Sequence, residues 1–274
     1  MARLAELEAR LASIGELEDV IGAMRALAAV RMRQATEALG AARARAEIIR
    51  GSLDAARQLV PEEGEVSSPT KSLVVVFCTE HGFAGAFNER LLERASEGGR
   101  VPLVIIGSRG ALLASERGLD SVATLAAASH PSGVLDVARR TAAAIYEQLG
   151  RAGLEHVEVI YGRGTAMGTP SIERRQLFPV ERSRRPSPAF PPLHHLEPSV
   201  LIEQLVAELV LAELARIAME SLAAESSARM QAMSAARDNI ERKLGELRQA
   251  EHRARQDQVT MELLDLVNGA EALA

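Results

Sequence analysis

Apolar residues recur at alternating steps of three and four along the first 60 residues, with two polar interruptions at Glu18 and Arg25. A seam of this spacing, sustained over about eight heptads, is typical of a coiled-coil helix. We therefore predict an N-terminal stalk helix over 1–60, roughly 85 Å long at about 1.5 Å per residue. The seam consists of Leu4, Leu7, Leu11, Ile14, Glu18, Ile21, Arg25, Ala28, Met32, Ala35, Leu39, Ala42, Ala46, Ile49, Leu53, Ala56 and Val60.

Residues 199–274 carry a second seam of the same kind, which slips in phase near Glu251 and resumes at Val259. We predict a C-terminal stalk helix over 199–274 that pairs with the first helix as an antiparallel hairpin. Alanine at many seam positions would let the two backbones approach closely. The seam runs through Ile202, Leu205, Leu209, Ala212, Met219, Ala223, Met230, Met233, Ile240, Leu244 and Leu247, and then through Val259, Leu263, Leu266, Ala270 and Leu273.

The middle of the chain has a different composition from its ends. All 11 prolines lie between Pro61 and Pro198, and all seven aromatic residues lie between Phe77 and Phe190. Because proline breaks helix interiors, the proline-free ends are predicted to be continuous helices, and 70–182 a compact domain inserted between them. A proline-rich linker, 183–198, would lead back to the stalk.

Short apolar strands alternate with helices in this middle domain, which predicts a small parallel or mixed sheet. The fold class is therefore α/β: a long antiparallel coiled coil of N- and C-terminal helices with an inserted Rossmann-like α/β domain. The expected strands are Leu73–Cys78, Val101–Ile106, Val157–Tyr161 and Gln176–Val180, and the expected helices are Ala86–Ala95, Arg109–Arg117 and Val134–Leu149.

Composition excludes several classes of protein. The chain is 47% hydrophobic and 25% charged, which is typical of a folded chain and not of a disordered one. A net charge of -5 argues against a surface built for nucleic acid. The single cysteine, Cys78, allows no intrachain disulfide, and no apolar run approaches the length of a membrane span.

The candidate chemistry of the middle domain is weak. The loop Glu80–Gly85 follows a strand and precedes a helix, where α/β proteins bind phosphate, yet it has neither a GxGxxG nor a GK[ST] pattern. We favour a tight turn at Gly82 and Gly85 over a ligand site. A metal site at the paired His194–His195 and a nucleophilic Cys78 are disfavoured alternatives, and Cys78 is expected to be a small buried hydrophobe.

Three further sequence features have more than one interpretation. The arginines at positions 174, 175, 182, 184 and 185 are interpreted as a solvated loop. Gly15 and Gly22 share one helix face and serve either close approach or clearance against another surface. Beyond the polar stretch that begins at Arg253, the C-terminal tip is apolar on much of its circumference, which requires another protein around it or packing on the middle domain.

The sequence resembles the gamma subunit of F-type ATP synthases over essentially the whole chain. The N-terminal pattern stands as Arg10–Ile14, Ala23-Met24 and Ala28–Met32, and the middle loop as His81–Asn88. Leu196-Glu197-Pro198 resembles the segment that re-enters the stalk. The C-terminal pattern stands as Glu225–Met233, Arg255–Leu263 and Val267–Ala270.

This resemblance implies a central rotor stalk that couples transmembrane ion flow to ATP synthesis and hydrolysis. It implies the alpha and beta subunits, the epsilon subunit and the membrane c-ring as partners, and a peripheral location on the cytoplasmic side of the bacterial inner membrane. It implies no catalytic residue, cofactor or metal in this chain, and contact with the membrane only through the complex. By resemblance, the contact with the beta subunits involves Met24, Arg229, Arg255, Gln256, Thr260 and Glu262.

Three departures from the family pattern favour a divergent or second-copy complex, one that mainly hydrolyses ATP. Ile21-Gly22 stands where a threonine-lysine pair is usual, His252 lies near the position of a usual asparagine, and Phe83-Ala84 stands where leucine and cysteine are common. Two other functions stay open. One is a coiled-coil scaffold unrelated to ATPases, and the other is an α/β ligand-binding domain with helical dimerisation arms.

Overall fold

The computed structural model describes residues 2–60, 72–97, 99, 101–152, 154–164, 168–181 and 192–271. The chain forms two compact units. The larger is Ala28–Arg229, and the smaller combines Met1–Leu27 with Met230–Ala274. The predicted division into segments 1–60, 70–182, 183–198 and 199–274 stays a prediction, and most of the linker lies outside the described residues.

Both predicted long helices are present. The first, α1, spans Ala2–Ala56 and is followed by a single 3-10 turn, Arg57–Leu59. The second, α5, spans Pro198–Glu271 without interruption. Its start is capped by the Glu197 carboxylate, which accepts hydrogen bonds from the backbone N–H groups of Ser199 at 2.9 Å and Val200 at 3.3 Å.

The predicted heptad seam is the buried face of α1. In the larger unit its residues are buried or half-buried, because they pack between α1 and the rest of the core. In the smaller unit the seam from Leu4 to Ile21 is half-buried, and it meets α5 in antiparallel order: Glu8 pairs with Arg255 and Glu18 with Arg237. The fully buried seam residues of α1 are Ala28, Ala35, Leu39, Ala46, Leu53 and Ala56.

A five-stranded mixed sheet lies in the larger unit, with strand order β3-β2-β1-β4-β5. The first four strands are parallel to their neighbours, and β5 is antiparallel to β4. The elements of this domain are β1 Ser72–Phe77, α2 Phe87–Ser96, β2 Leu103–Ile106, α3 Ser108–Glu116, β3 Ser121–Leu125, α4 Val134–Ala152, β4 His156–Arg163 and β5 Ser171–Phe178.

Alternate residues of β1 enter two separate apolar clusters, because successive strand residues face opposite sides of a sheet. Leu73, Val75 and Phe77 pack with α4, α5 and the Ala35–Leu39 stretch of α1. Val74 and Val76 pack with α2 and α3 on the other side. Helix α5 contributes residues to both clusters, which accounts for the nearly complete burial of its residues from 209 to 229.

Two strands differ from the sequence prediction. Strand β3 was not predicted, because as an edge strand it exposes most of its side chains. Strand β5 begins five residues earlier than the predicted Gln176, because its outer half carries ion-paired charges instead of an alternating apolar pattern. Among the described residues, no helix is long and apolar enough to cross a bilayer.

Candidate partner interface

A second apolar stripe runs along α1 in the smaller unit, outside the heptad seam. Leu17, Val20 and Leu27 are each more than half exposed, and Met24 lies between them at the same helical spacing and is half-buried. Residues spaced by three and four share one helix face, so these four form a continuous strip. Only Met24 of this strip was singled out from the sequence. The alternating spacing of three and four residues between apolar positions would have revealed all four.

Residues 255–264 of α5 are exposed apart from the half-buried Gln258. Val259, Met261, Leu263 and Leu264 are exposed by 50%, 67%, 58% and 56%. At about 100° per residue these four positions span roughly 200° of the helix, so no single neighbouring helix could cover them. Exposed apolar residues over so wide an arc mark a segment that other protein surfaces contact from more than one side.

Four of the predicted contact residues lie in this same exposed segment. Arg255 bonds Glu8 of α1 at 3.2 Å and Glu251 of its own helix at 2.9 Å, and its side chain remains 57% exposed. Gln256 is exposed, as is Thr260, whose hydroxyl donates to the Gln256 carbonyl at 2.9 Å. Glu262 is also exposed and accepts a hydrogen bond from Gln258 at 2.9 Å. We call residues 255–264 the exposed segment of α5.

The structure places Arg229 in a different setting, in the larger unit and only 6% exposed. Its guanidinium donates to the Glu225 carboxylate at 2.6 Å and to the carbonyl oxygens of Gly82 and His81 at 3.1 and 3.2 Å. Burial raises the pKa of Glu225, although the positive charge of Arg229 acts in the opposite direction. Arg229 therefore holds the glycine-containing loop against α5.

The loop is also held from the side of the sheet. The Glu80 carboxylate accepts hydrogen bonds from the Ser108 hydroxyl at 2.6 Å, the Ser108 N–H at 3.2 Å and the Ala127 N–H at 2.7 Å. Burial opposes ionisation of Glu80, but these donors outweigh it and lower its pKa. An internal carboxylate thus occupies the start of α3, where an α/β protein could bind an external anion.

The conformation of the loop matches the turn that was favoured. Gly85 has φ of 58°, and Phe83 has φ of 64° with an exposed ring. The left-handed region suits glycine and is unusual for phenylalanine. Asn88 fixes the start of the loop, because its side chain accepts from the Thr79 N–H at 2.9 Å and donates to the Thr79 hydroxyl at 2.8 Å.

The crevice in which such sheets bind ligands is filled. Ligands of open α/β sheets lie at the carboxyl ends of the strands where the strand order reverses, which here is between β1 and β4. At Gly162, near the end of β4, a Cβ atom would come within 2.4 Å of the Phe87 ring and 2.9 Å of the Ala224 Cβ. Phe87 begins α2 and Ala224 belongs to α5, so these two helices occupy the crevice.

The structure also bears on the other candidates from the sequence: Cys78, a metal site, and the glycines Gly15 and Gly22. Cys78 is buried as expected, and burial raises the pKa of its thiol, with Glu225 and Glu89 adding to the effect. Within the described part of the chain, no group of three or more His, Cys, Asp or Glu side chains is placed to hold a metal. A Cβ added at Gly15 or Gly22 would meet nothing within 4 Å, so neither glycine serves a close approach within this chain.

The interpretation of the arginine run as a solvated loop was wrong for its first two members. Arg174 and Arg175 lie on β5, and Arg174 bonds Glu158 of β4 at 3.1 Å through Nε. That bond lowers the pKa of Glu158 despite its partial burial. Arg175 reaches Glu213 of α5 at 3.5 Å. The arginines at 182, 184 and 185 lie outside the described residues.

Two solved structures of mitochondrial ATP synthases contain chains with the same fold. One belongs to the OSCP, F1 and c-ring assembly of the Euglena gracilis mitochondrial ATP synthase, with a TM-score of 0.69, 12% identity, and coverage of 99% of this chain and 95% of that one. Another belongs to the central stalk and c-ring of the Tetrahymena thermophila enzyme, with a TM-score of 0.59, 18% identity, and coverage of 79% and 99%. This chain therefore shares the fold of chains from two mitochondrial ATP synthase structures.

Sequence relatives identify the family within that class. A family model described as ATP synthase matches residues 3–273. The ATP synthase gamma chain of Phenylobacterium zucineum is 30% identical over 298 residues and is covered completely, as is this chain. That of Cytophaga hutchinsonii is 28% identical over 302 residues, with 100% of this chain and 99% of the relative covered. The chain belongs to the ATP synthase gamma chain family, whose members are central-stalk subunits of rotary ATPase complexes.

Proposed function

We propose that this chain is the rotor shaft of an F-type ATP synthase and couples transmembrane proton flow to ATP synthesis and hydrolysis by rotation. The observation that carries this proposal is the exposed segment of α5, which presents apolar side chains over roughly 200° of the helix. A ring of surrounding subunits fits such a surface, whereas one flat partner would leave part of it in water.

The mechanism requires asymmetry in the shaft. Three chemically equal nucleotide sites around it would meet different side chains at any instant, so their affinities would differ. Rotation would then carry each site through tight and loose states in turn. Proton flow drives this rotation during synthesis, and ATP hydrolysis drives it in reverse.

The contacts with the beta subunits are assigned to Met24, Arg255, Gln256, Thr260 and Glu262. Met24 lies on the exposed apolar strip of α1, and the other four are exposed on α5. Long polar side chains suit this task, because charged hydrogen bonds can form and break with each step. Arg229 is assigned to this contact indirectly. Its guanidinium is buried, so it would act by holding the loop at His81 and Gly82.

The other partners follow from the same assignment. The alpha subunits complete the ring, while the epsilon subunit and the membrane c-ring bind the α/β domain. The complex would place the chain on the cytoplasmic face of the bacterial inner membrane. A non-catalytic role is supported by the filled crevice at Gly162 and by the internal carboxylate at the start of α3.

Truncation after Gly245 tests the proposal, because it removes the exposed segment of α5. Membranes that contain the truncated chain should lose most or all ATP synthesis driven by a proton gradient. The matched control ends at Asn268, which keeps that segment and should retain synthesis. Undiminished synthesis after truncation at Gly245 would contradict the shaft role.

The purified chain provides an independent test of the non-catalytic role. It should hydrolyse no nucleotide on its own, and steady turnover would overturn that part of the proposal. Saturable nucleotide binding near Gly82 and Gly85 would favour a ligand-binding domain. Affinity purification from membranes that recovers no ATPase subunits would favour an unrelated scaffold.

A further inference from the structure

Six charged side chains form a partly buried network in the larger unit, which we call the ionic cluster: Arg43, Arg50, Arg175, Glu213, Arg216 and Glu220. At its centre the Glu213 carboxylate of α5 accepts hydrogen bonds from Arg50 of α1 at 2.6 Å and from Arg216 of α5 at 2.8 Å. Arg175 of β5 reaches the same carboxylate at 3.5 Å. One carboxylate thus joins both long helices to the sheet.

The cluster extends one turn further along α5. Arg216 also bonds Glu220 at 3.1 Å, and Glu220 accepts two hydrogen bonds from Arg43 of α1, at 2.7 and 3.1 Å. The Arg216 guanidinium lies 5.9 Å from the centre of the Tyr161 ring on β4. The contacts of these side chains therefore reach four elements: α1, α5, β4 and β5.

Stability does not explain why these charges are buried. The side chains of Glu213, Arg216 and Glu220 are only 8%, 9% and 3% exposed, so their desolvation costs much of what their attraction supplies. Well-packed apolar residues of similar volume are often equally or more stabilising at such sites. Burial opposes ionisation of Glu213, but Arg216, Arg50 and Arg175 together lower its pKa, so the carboxylate is charged at neutral pH.

Ion pairs add directionality to a contact that apolar residues alone would leave non-directional. The other contacts of α5 here are apolar side chains, and apolar attraction is non-directional. A rotation of α5 by about 20° would move a side-chain tip by ~2 Å on a helix about 10–12 Å wide. That displacement would break the hydrogen bonds of Glu213, so these bonds add a directional restraint to the resistance of the packed apolar side chains.

We propose that the ionic cluster locks the rotational setting of α5 against α1 and the sheet, so that torque passes between the α/β domain and the helices without slip. This inference rests on the proposed function as a rotor shaft. The cluster residues act as positioning residues, because their contacts are with one another and they work through the helices and the strand that they join.

Two substitutions test the lock in inside-out membrane vesicles that contain the complete complex. Arg175→Gln removes only the link from Glu213 to β5, through a side chain that is 43% exposed, and Glu213→Gln weakens all three links that this carboxylate makes. The control is Glu208→Gln, which removes an exposed α5–α1 ion pair, Arg45–Glu208, at 3.2 Å. The readout is the ratio of ATP-driven proton uptake to ATP hydrolysis in the same vesicles.

Glu213→Gln should lower that ratio by about threefold or more, because hydrogen bonds between charged groups are worth more than that factor in an equilibrium. Arg175→Gln should lower it by less, because the Arg175 side chain is 43% exposed and its contact with Glu213 is 3.5 Å long. The hydrolysis rate of both variants should stay near that of the wild type, and Glu208→Gln should change neither quantity. An unchanged ratio in both cluster variants would overturn the lock. Failure of both to assemble while the control assembles would also overturn it, since the cluster would then serve folding alone.

The same vesicles separate this inference from the function on which it rests. Wild-type vesicles that hydrolyse ATP without any proton uptake would contradict the proposed rotor function. Normal uptake in the wild type and in both cluster variants would contradict the lock alone. Recovery of the ratio in Arg175→Lys, which keeps the positive charge, would further support the link between β5 and Glu213.

Discussion

Helix α5 contains two stretches whose burial is the reverse of what their polarity suggests. From 213 to 229 it buries charged residues, among them Glu213, Arg216 and Arg229. From 259 to 264 it exposes apolar residues instead, including Met261 and Leu263. The difference shows that packing in this chain follows the available partners. The buried charged residues pair with other groups of the same chain, whereas the exposed apolar residues remain in contact with solvent.

The largest expected effect comes from breaking the buried stretch. Arg216→Met should lower the free energy of unfolding of the full chain by about 3–5 kcal/mol, because it leaves Glu213 and Glu220 buried without their shared partner. The matched change in the exposed stretch, Glu262→Gln, should shift it by about 0.5 kcal/mol or less. Urea denaturation of both variants would measure the two changes in the free energy of unfolding. Equal changes would contradict the proposed difference between the buried and the exposed stretch.

A smaller effect should follow from adding one methyl group. Gly162→Ala should destabilise the larger unit by about 1–3 kcal/mol, because the new Cβ meets the buried Phe87 ring and Ala224. Gly15→Ala should instead stabilise the chain by up to about 1 kcal/mol, since its helix site is open and alanine is the better helix former. The two midpoints of urea denaturation should therefore move in opposite directions.

The pH dependence of stability should also distinguish the buried stretch. The folded state lowers the pKa of Glu213 below its unfolded value, so the resulting stability is present above that value and is lost as the pH falls through the folded pKa. Between about pH 5 and pH 3 the wild type should lose more stability than Glu213→Gln. Parallel losses in the two proteins would show that Glu213 titrates alike in both states.

The smallest effect is expected for an exposed ion pair. A double-mutant cycle on Arg255 and Glu8, each replaced by alanine, should give a coupling energy of about 0.2–1 kcal/mol in the isolated chain, because water screens both groups. A coupling energy well above this range would mean that the pair is shielded from water even without a partner subunit.

Heptad periodicity and the absence of proline together predicted the long helices, and every buried position of α1 falls on the heptad seam. The two departures in the sheet have physical reasons. Ser121–Leu125 lies at an edge and needs no apolar alternation, while Arg174 on β5 is held by an ion pair with Glu158, which no apolar pattern reveals. An ion-paired strand and a charged loop look the same in sequence.

The candidate interface was only partly predictable. The apolar end of α5 was visible as a change in the seam, and the exposed Leu263 agrees with it. The burial of Arg229 was not visible, because its partners, His81 and Gly82, are carbonyl groups almost 150 positions away in the chain. Long-range pairing of this kind depends on the fold and leaves no local pattern.

The close packing of Phe87 and Ala224 at Gly162 has a consequence for evolution as well as for structure. A sheet of this type offers a ready pocket for small molecules, yet here the pocket has been converted into an anchorage for the chain's own long helix. Any mutation that reopened it would loosen the anchorage at the same time. A small molecule could therefore bind at this edge only by displacing the Phe87 ring or the long helix itself.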